Sequence, residues 1–106
     1  MIANTSYLNN STLEFEDISK ELVVGSCGHY RFSGKDRYHT RRPEGRVDYQ
    51  LLYLVSGKAA FWIGDRDVTV TAGQMVLYKP HKKQDYIYLG QDRPEVFWVH
   101  FTGAQA

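Results

Sequence analysis

A single cysteine, Cys27, leaves no partner for an internal disulfide, which fits a reducing compartment. No apolar run approaches the ~20 residues of a membrane span. The N-terminal segment also lacks the basic-then-apolar layout of a secretory signal. The formal net charge is +1, so the total charge predicts no surface for nucleic acid. No glycine-rich loop followed by a helix is present to cradle a phosphate, and no window has convincing helical periodicity. Together these absences describe a soluble, cytoplasmic domain with no membrane partner. A chain of 106 residues can build one compact core but not two.

What the chain has in quantity is aromatic side chains, 14% of the residues, with eight tyrosines and two tryptophans. Such residues suit half-buried pleated surfaces and pockets, because each joins a flat apolar body to a polar tip. Residues 1–20 are polar and rich in Asn, Ser and Thr, and read as a flexible arm, with residual helix conceivable only near Phe15 to Leu22. Residues 21–106 read as one domain of strands. Leu22 to Val24 and His29 to Phe32 flank Gly25 and Gly28, where a bulge or bend is expected. Ser33 to Arg46 reads as a basic loop. Tyr49 to Val55 is apolar at successive positions, as in a strand buried on both faces. Gly64-Asp65 marks a hairpin between Ala59–Ile63 and the alternating Asp67–Thr71. Met75–Tyr78, Tyr86–Leu89 and Val96–Phe101 complete six or seven short strands, an antiparallel sandwich or barrel.

Several segments are distinctive in order and spacing: Arg42-Pro43-Glu44-Gly45-Arg46 leading into Tyr49-Gln50-Leu51-Leu52-Tyr53, Gly73 before Lys79-Pro80, then Gln84-Asp85-Tyr86, and Trp98-Val99-His100-Phe101. In these segments the chain resembles the N-terminal ligand-binding domain of the AraC family of transcription regulators, over roughly Glu21 to Gly103. The resemblance implies an all-β fold, a cupin-like double-stranded β-helix or jelly-roll barrel, whose mouth binds a small effector. It also implies a non-catalytic domain without metal or cofactor. DNA would be contacted only through a C-terminal helix-turn-helix domain that lies outside these residues. The chain stops directly after its last strand, which reads as a cut at a domain boundary, and homodimerisation is left open.

Residue by residue, the resemblance places Arg42 as a hydrogen-bond donor to a sugar, Tyr86 on the pocket wall and Trp98 stacked on the sugar ring. The chain departs from the arabinose-responsive members at Val96, where they carry histidine, so the effector is expected to be a carbohydrate or sugar acid other than arabinose itself. His100, Val96 and Trp98 share a strand face and are expected to form one pocket wall. Arg46 and Tyr88 are weaker candidates, since a basic loop is usually a solvated one and a tyrosine pair on a strand is more often core. An anionic effector, a sugar acid or phosphate, would use the basic loop better than a neutral sugar.

Two alternatives stand beside the sensor. A stand-alone metal-dependent cupin enzyme needs a His-x-His pair and further His or carboxylate ligands. The stretch after Gly57 holds no histidine, and Asp85 stands where the last ligand would be. A closed-barrel dimerisation module would have its lumen packed shut with side chains. Cys27 and His29 share a strand face, but no orienting group or oxyanion site accompanies them, so a buried, inert cysteine is the expectation.

Overall fold

The computed structural model describes residues 1–8, 16 and 22–104, which form nine strands in two antiparallel sheets. One sheet pairs β1 (Ile2–Tyr7), β2 (Val23–Arg31), β9 (Glu95–Thr102), β4 (Tyr49–Ser56) and β7 (Met75–Tyr78) in that spatial order. The other pairs β3 (Arg37–Arg42), β8 (Gln84–Leu89), β5 (Lys58–Ile63) and β6 (Arg66–Thr71). Apart from the β1–β2 and β5–β6 hairpins, each connection between successive strands crosses from one sheet to the other. The result is the expected two-sheet jelly roll. Among the described residues the helical structure is a single 3-10 turn at Gly90–Asp92.

Strand alternation decides what fills the space between the sheets. In the five-stranded sheet the inward rows read Tyr30–Val96–Leu54, then Gly28–Trp98–Leu52–Val76, then Ser26–His100–Gln50–Tyr78. The facing sheet contributes Tyr38–Tyr88, Thr40–Tyr86–Phe61–Val68 and Arg42–Gln84. The interior is therefore graded along its axis. One end is a close-packed apolar core of Phe32, Leu54, Ala59, Phe61, Val70 and Val96, each 4% exposed or less. The other end is lined by guanidinium, imidazole, amide and hydroxyl groups. Among the described residues, side chains tie the sheets together across the interior: Gln50 Nε2 donates to the Tyr86 hydroxyl (3.2 Å), and the Tyr78 hydroxyl reaches the carbonyls of Trp62 (3.0 Å) and Asp85 (3.3 Å).

Several expectations change. The segment from Ser33 to Arg46 is not all loop, for it contains β3. There Arg37, His39 and Arg41 point to solvent while Tyr38, Thr40 and Arg42 point inward, so the strand lacks the apolar periodicity that marks one. β4 is not buried on both faces. Gln50, Leu52 and Leu54 are buried, but Tyr53 and Val55 are 38% and 37% exposed. β2 runs through both glycines, with one register shift between Val24 and Ser26. The first residues of the expected arm form β1, laid along the edge of β2 with every residue exposed. The helix considered near Phe15 to Leu22 falls mainly on residues outside those described.

The outer face of the five-stranded sheet is markedly apolar: its rows read Cys27–Val99–Leu51–Leu77 and His29–Phe97–Tyr53–Met75. Phe97 is 48% exposed whereas Phe61, on the inward face of β5, is 1% exposed. Phe61→Ala should therefore cost about 3–5 kcal/mol and Phe97→Ala about 1 kcal/mol or less. Urea unfolding of the two variants measures this contrast, and equal losses would contradict the register of the strands.

Candidate functional site

At the polar end, a cavity of about 180 Å³ opens between the sheets. Its walls come from both of them. β2, β4 and β9 supply Ser26, Tyr30, Gln50, Leu52, Trp98 and His100, while β3 and β8 supply Tyr38, Arg42, Tyr86 and Tyr88. Arg46 enters from the β3–β4 connection, and Thr5 and Tyr7 of β1 reach the rim. An engineered cavity of ~150 Å³ takes up benzene, so this one has room for a single six-membered ring. It falls below the ~300–1,000 Å³ of sites for drug-sized molecules.

The polar groups are held by their neighbours. Arg46 and Asp48 are 5% and 1% exposed. They form a two-point ion pair, Nε to Oδ1 at 2.7 Å and Nη2 to Oδ2 at 3.1 Å. Arg42 donates from Nη1 to Gln84 Oε1 at 2.8 Å. The Ser26 hydroxyl and His100 Nδ1 share a hydrogen bond of 2.8 Å. Burial first, then the guanidinium charges of Arg46 and Arg42, push the His100 imidazole down to about 3, so the ring is neutral at pH 7. Burial pushes the Tyr88 hydroxyl well above the ordinary tyrosine value, so it keeps its proton. Among the described residues, four polar atoms on the lining are buried without a hydrogen-bond partner: Gln50 Oε1, Tyr88 Oη, Trp98 Nε1 and His100 Nε2. Each such atom costs roughly 1–3 kcal/mol.

Trp98 owes its position to a residue without a side chain. Its indole lies across Gly28 of the neighbouring strand, where a Cβ would overlap the six-membered ring and crowd the Asn4 carbonyl. The indole also contacts the Tyr30 and His100 rings, at 5.9 and 4.7 Å between centroids.

A cavity of this kind at the mouth of a jelly roll agrees with the family-model match, which covers residues 26–106 with the AraC-like ligand binding domain. The chain belongs to that family. No curated protein matches it by sequence. Among solved structures it is similar to the Cupin_2 domain of an XRE family transcriptional regulator from Enterobacter cloacae, with TM-score 0.57 and 13% identity, covering 94% of this chain and 95% of that one. It is also similar to an HTH_3 family transcriptional regulator from Vibrio cholerae, with TM-score 0.59, 6% identity and coverage of 92% and 49%. A third is a predicted oxalate decarboxylase from Thermotoga maritima, with TM-score 0.56, 11% identity and coverage of 74% and 65%. Identities this low show the cupin fold alone. The chain spans about half the Vibrio protein and two thirds of the Thermotoga one.

The six residues singled out from the sequence, Arg42, Arg46, Tyr86, Tyr88, Trp98 and His100, all line this one cavity. Val96 does not. It shares their strand face but lies 1% exposed in the apolar core below the cavity, which corrects the expected three-residue wall. The sequence reading missed Ser26, Tyr30, Tyr38 and Gln50. Gln50 carried a signal, as the lone amide in an otherwise apolar strand, whereas Tyr38 was hidden by the failure to see β3. Cys27 is half-buried on the outer face, not buried, and His29 beside it is engaged by Glu95 (2.7 Å) and stacked on Phe97. Among the described residues no three His, Cys, Asp or Glu side chains gather as a metal site would require.

Two consequences can be measured. The unfolded chain protonates His100 near the ordinary value of 6.5, the folded chain only at about 3. Acidification across that window therefore favours the unfolded state. The urea midpoint should fall less steeply from pH 7 to pH 4.5 in His100→Asn than in the parent, and parallel slopes would contradict a neutral imidazole. Gly28→Ala should destabilise by about 1–3 kcal/mol through overpacking. In a Trp62→Phe background it should also shift the Trp98 emission, because the indole must move.

Proposed function

We propose that this domain senses a small-molecule effector, a monosaccharide-type compound, and passes the signal to a DNA-binding domain joined to it, as in AraC-type transcription regulators. The observation that carries the reading is the cavity itself. It has room for one ring and is walled by aromatic faces, and four buried polar atoms on its lining residues lack a protein partner. Retaining these costs makes sense where a bound molecule recovers them. Indole and phenol faces suit the C–H side of a sugar ring, while amide, hydroxyl and guanidinium groups suit its hydroxyls. In this reading Trp98 stacks on the ring, Arg42 and Gln50 bond its oxygens, and Tyr86, Tyr88, His100 and Arg46 complete the walls.

The other readings fit less well. A closed dimerisation module predicts a filled interior, yet the polar half holds about 180 Å³ of space. A metal-dependent cupin enzyme needs a cluster of ligands that the described residues do not gather, and the family of regulators to which the chain belongs favours a non-enzymatic role. The transmission step requires that the effector bind two states with different affinity. β1 is placed to report it, because Thr5 and Tyr7 touch the cavity while the strand is held along only one edge. A homodimer would offer a second route, using the apolar outer face of the five-stranded sheet. Action in the cytoplasm belongs to the same proposal.

The test is a thermal-shift screen against monosaccharides, disaccharides and divalent metals. A monosaccharide-type ligand at 100 times its dissociation constant adds about 2.7 kcal/mol, a rise in melting temperature on the order of 10 °C. Disaccharides should give no shift, and Trp98→Ala should abolish the response to the hit. A response to metals alone would favour the enzyme, and binding unaffected by Trp98→Ala would move the site elsewhere.

A further inference from the structure

We propose that the effector is a sugar acid, a single pyranose-sized ring bearing one carboxylate, with that carboxylate held by Arg42. This deepens the effector reading of the cavity and rests on it.

The first argument is charge. The cavity is lined by two cations, Arg42 and Arg46, and by no Asp or Glu among the described residues. The charge of Arg46 is met by Asp48, through two contacts of 2.7 and 3.1 Å. Among the described residues Arg42 has a neutral partner, the Gln84 carbonyl oxygen at 2.8 Å, and no ion pair. The side-chain amide of Gln84 is itself buried, so it fixes where Arg42 lies without neutralising it. One positive charge is thus left over at a partly buried site. A neutral sugar would cover that charge without compensating it, at a cost in desolvation. A carboxylate compensates it through charge-assisted hydrogen bonds to the planar fork.

The second argument is the balance of donors and acceptors. The Trp98 indole can only donate, as can the free N–H groups of Arg42. The Tyr86 hydroxyl accepts from Gln50, which leaves its O–H to donate, and the Tyr88 hydroxyl can also donate. The obligate acceptor on the wall is Gln50 Oε1. A surplus of donors calls for a ligand rich in acceptors, which a carboxylate is, while a ring hydroxyl supplies the proton for Gln50. An aromatic carboxylate would meet Arg42 but leave Gln50 Oε1 without a donor. A phosphate ester would bring up to two negative charges to one uncompensated cation.

The experiment is isothermal titration of the full chain with D-galacturonate, D-glucuronate and D-mannuronate, each beside its parent hexose. Benzoate and the hexose 6-phosphates are included for comparison. At least one uronate should bind tenfold or more tightly than its hexose. In Arg42→Gln the affinity for that uronate should drop at least tenfold more than that for the hexose, which loses one hydrogen bond as well, with Arg42→Lys recovering part of the uronate's loss. Should Arg42→Gln melt well below the parent, the parent titrated at low and high salt makes the same test: salt should weaken the uronate and spare the hexose. A hexose that binds as tightly as its uronate would overturn the charge assignment and leave the effector reading standing. Benzoate or a phosphate as the tightest ligand would overturn the sugar-acid class. Silence across all of these would overturn both the class and the cavity as a sugar-type site.

Discussion

The buried pair of Arg46 and Asp48 is the interaction on which the polar half of the molecule depends. It sits in the connection between β3 and β4, strands of opposite sheets, and so sets how Arg42 on one sheet faces Gln50 on the other. The Arg46 carbonyl also accepts from the His81 amide at 2.8 Å, which fastens the β7–β8 connection to the same point. A buried pair of this kind rarely adds much net stability, because desolvation consumes the Coulombic gain, yet losing one partner strands a charge in the interior. Its value here is positional and electrostatic. By meeting the charge of Arg46 it leaves Arg42 as the cation that a ligand would meet.

The same electrostatics explains the state of His100. A neutral imidazole between two guanidinium groups adds no further positive charge, and its bond to Ser26 fixes the ring in place. The site therefore combines closely packed aromatic walls with a net positive lining. Tyr30, Tyr38, Tyr86, Tyr88, Trp98 and Phe61 form a connected set of ring contacts with centroids 5.1 to 6.3 Å apart. Aromatic residues lose little rotamer freedom when ordered this way, so the walls stand preformed.

Against that fixed interior, β1 is the contrasting element. Its six residues are all exposed and it is paired with β2 alone, so its free energy of detachment is low compared with strands at the centre of the sheet. A rigid pocket beside a weakly held strand is a workable arrangement for a sensor. On the proposed reading, a molecule bound there would change few contacts in the core and could still shift the position of a segment that other surfaces read.

Much of this was legible in the residues alone. The hairpin at Gly64-Asp65, the alternation of Asp67–Thr71 and the Trp98–His100 face all follow from local pattern, because the period of two in a strand is written directly into residue types. The resemblance named Arg42, Tyr86 and Trp98, strand faces and local charge added His100, Tyr88 and Arg46, and folding brings all six to one cavity. What local pattern missed was β3, whose outward side chains are charged and whose inward ones serve a polar cavity. Neither face is apolar enough to betray a strand. The outer face of β4 was misjudged for the opposite reason, since apolar residues cover it although it is exposed.

Sequence by itself determined that this is a small all-β domain, because residue spacing within each strand is a local property, and its distinctive segments carried the resemblance to the AraC-like ligand-binding domain. Only the tertiary structure decided that Val96 belongs to the core and Gln50 to the cavity, that Gly28 makes room for an indole from a strand some seventy residues away, and that Arg46 is neutralised where Arg42 is not. These are facts of register and of contact between the two sheets. No single segment encodes them, since each arises only when strands distant in the chain are laid side by side.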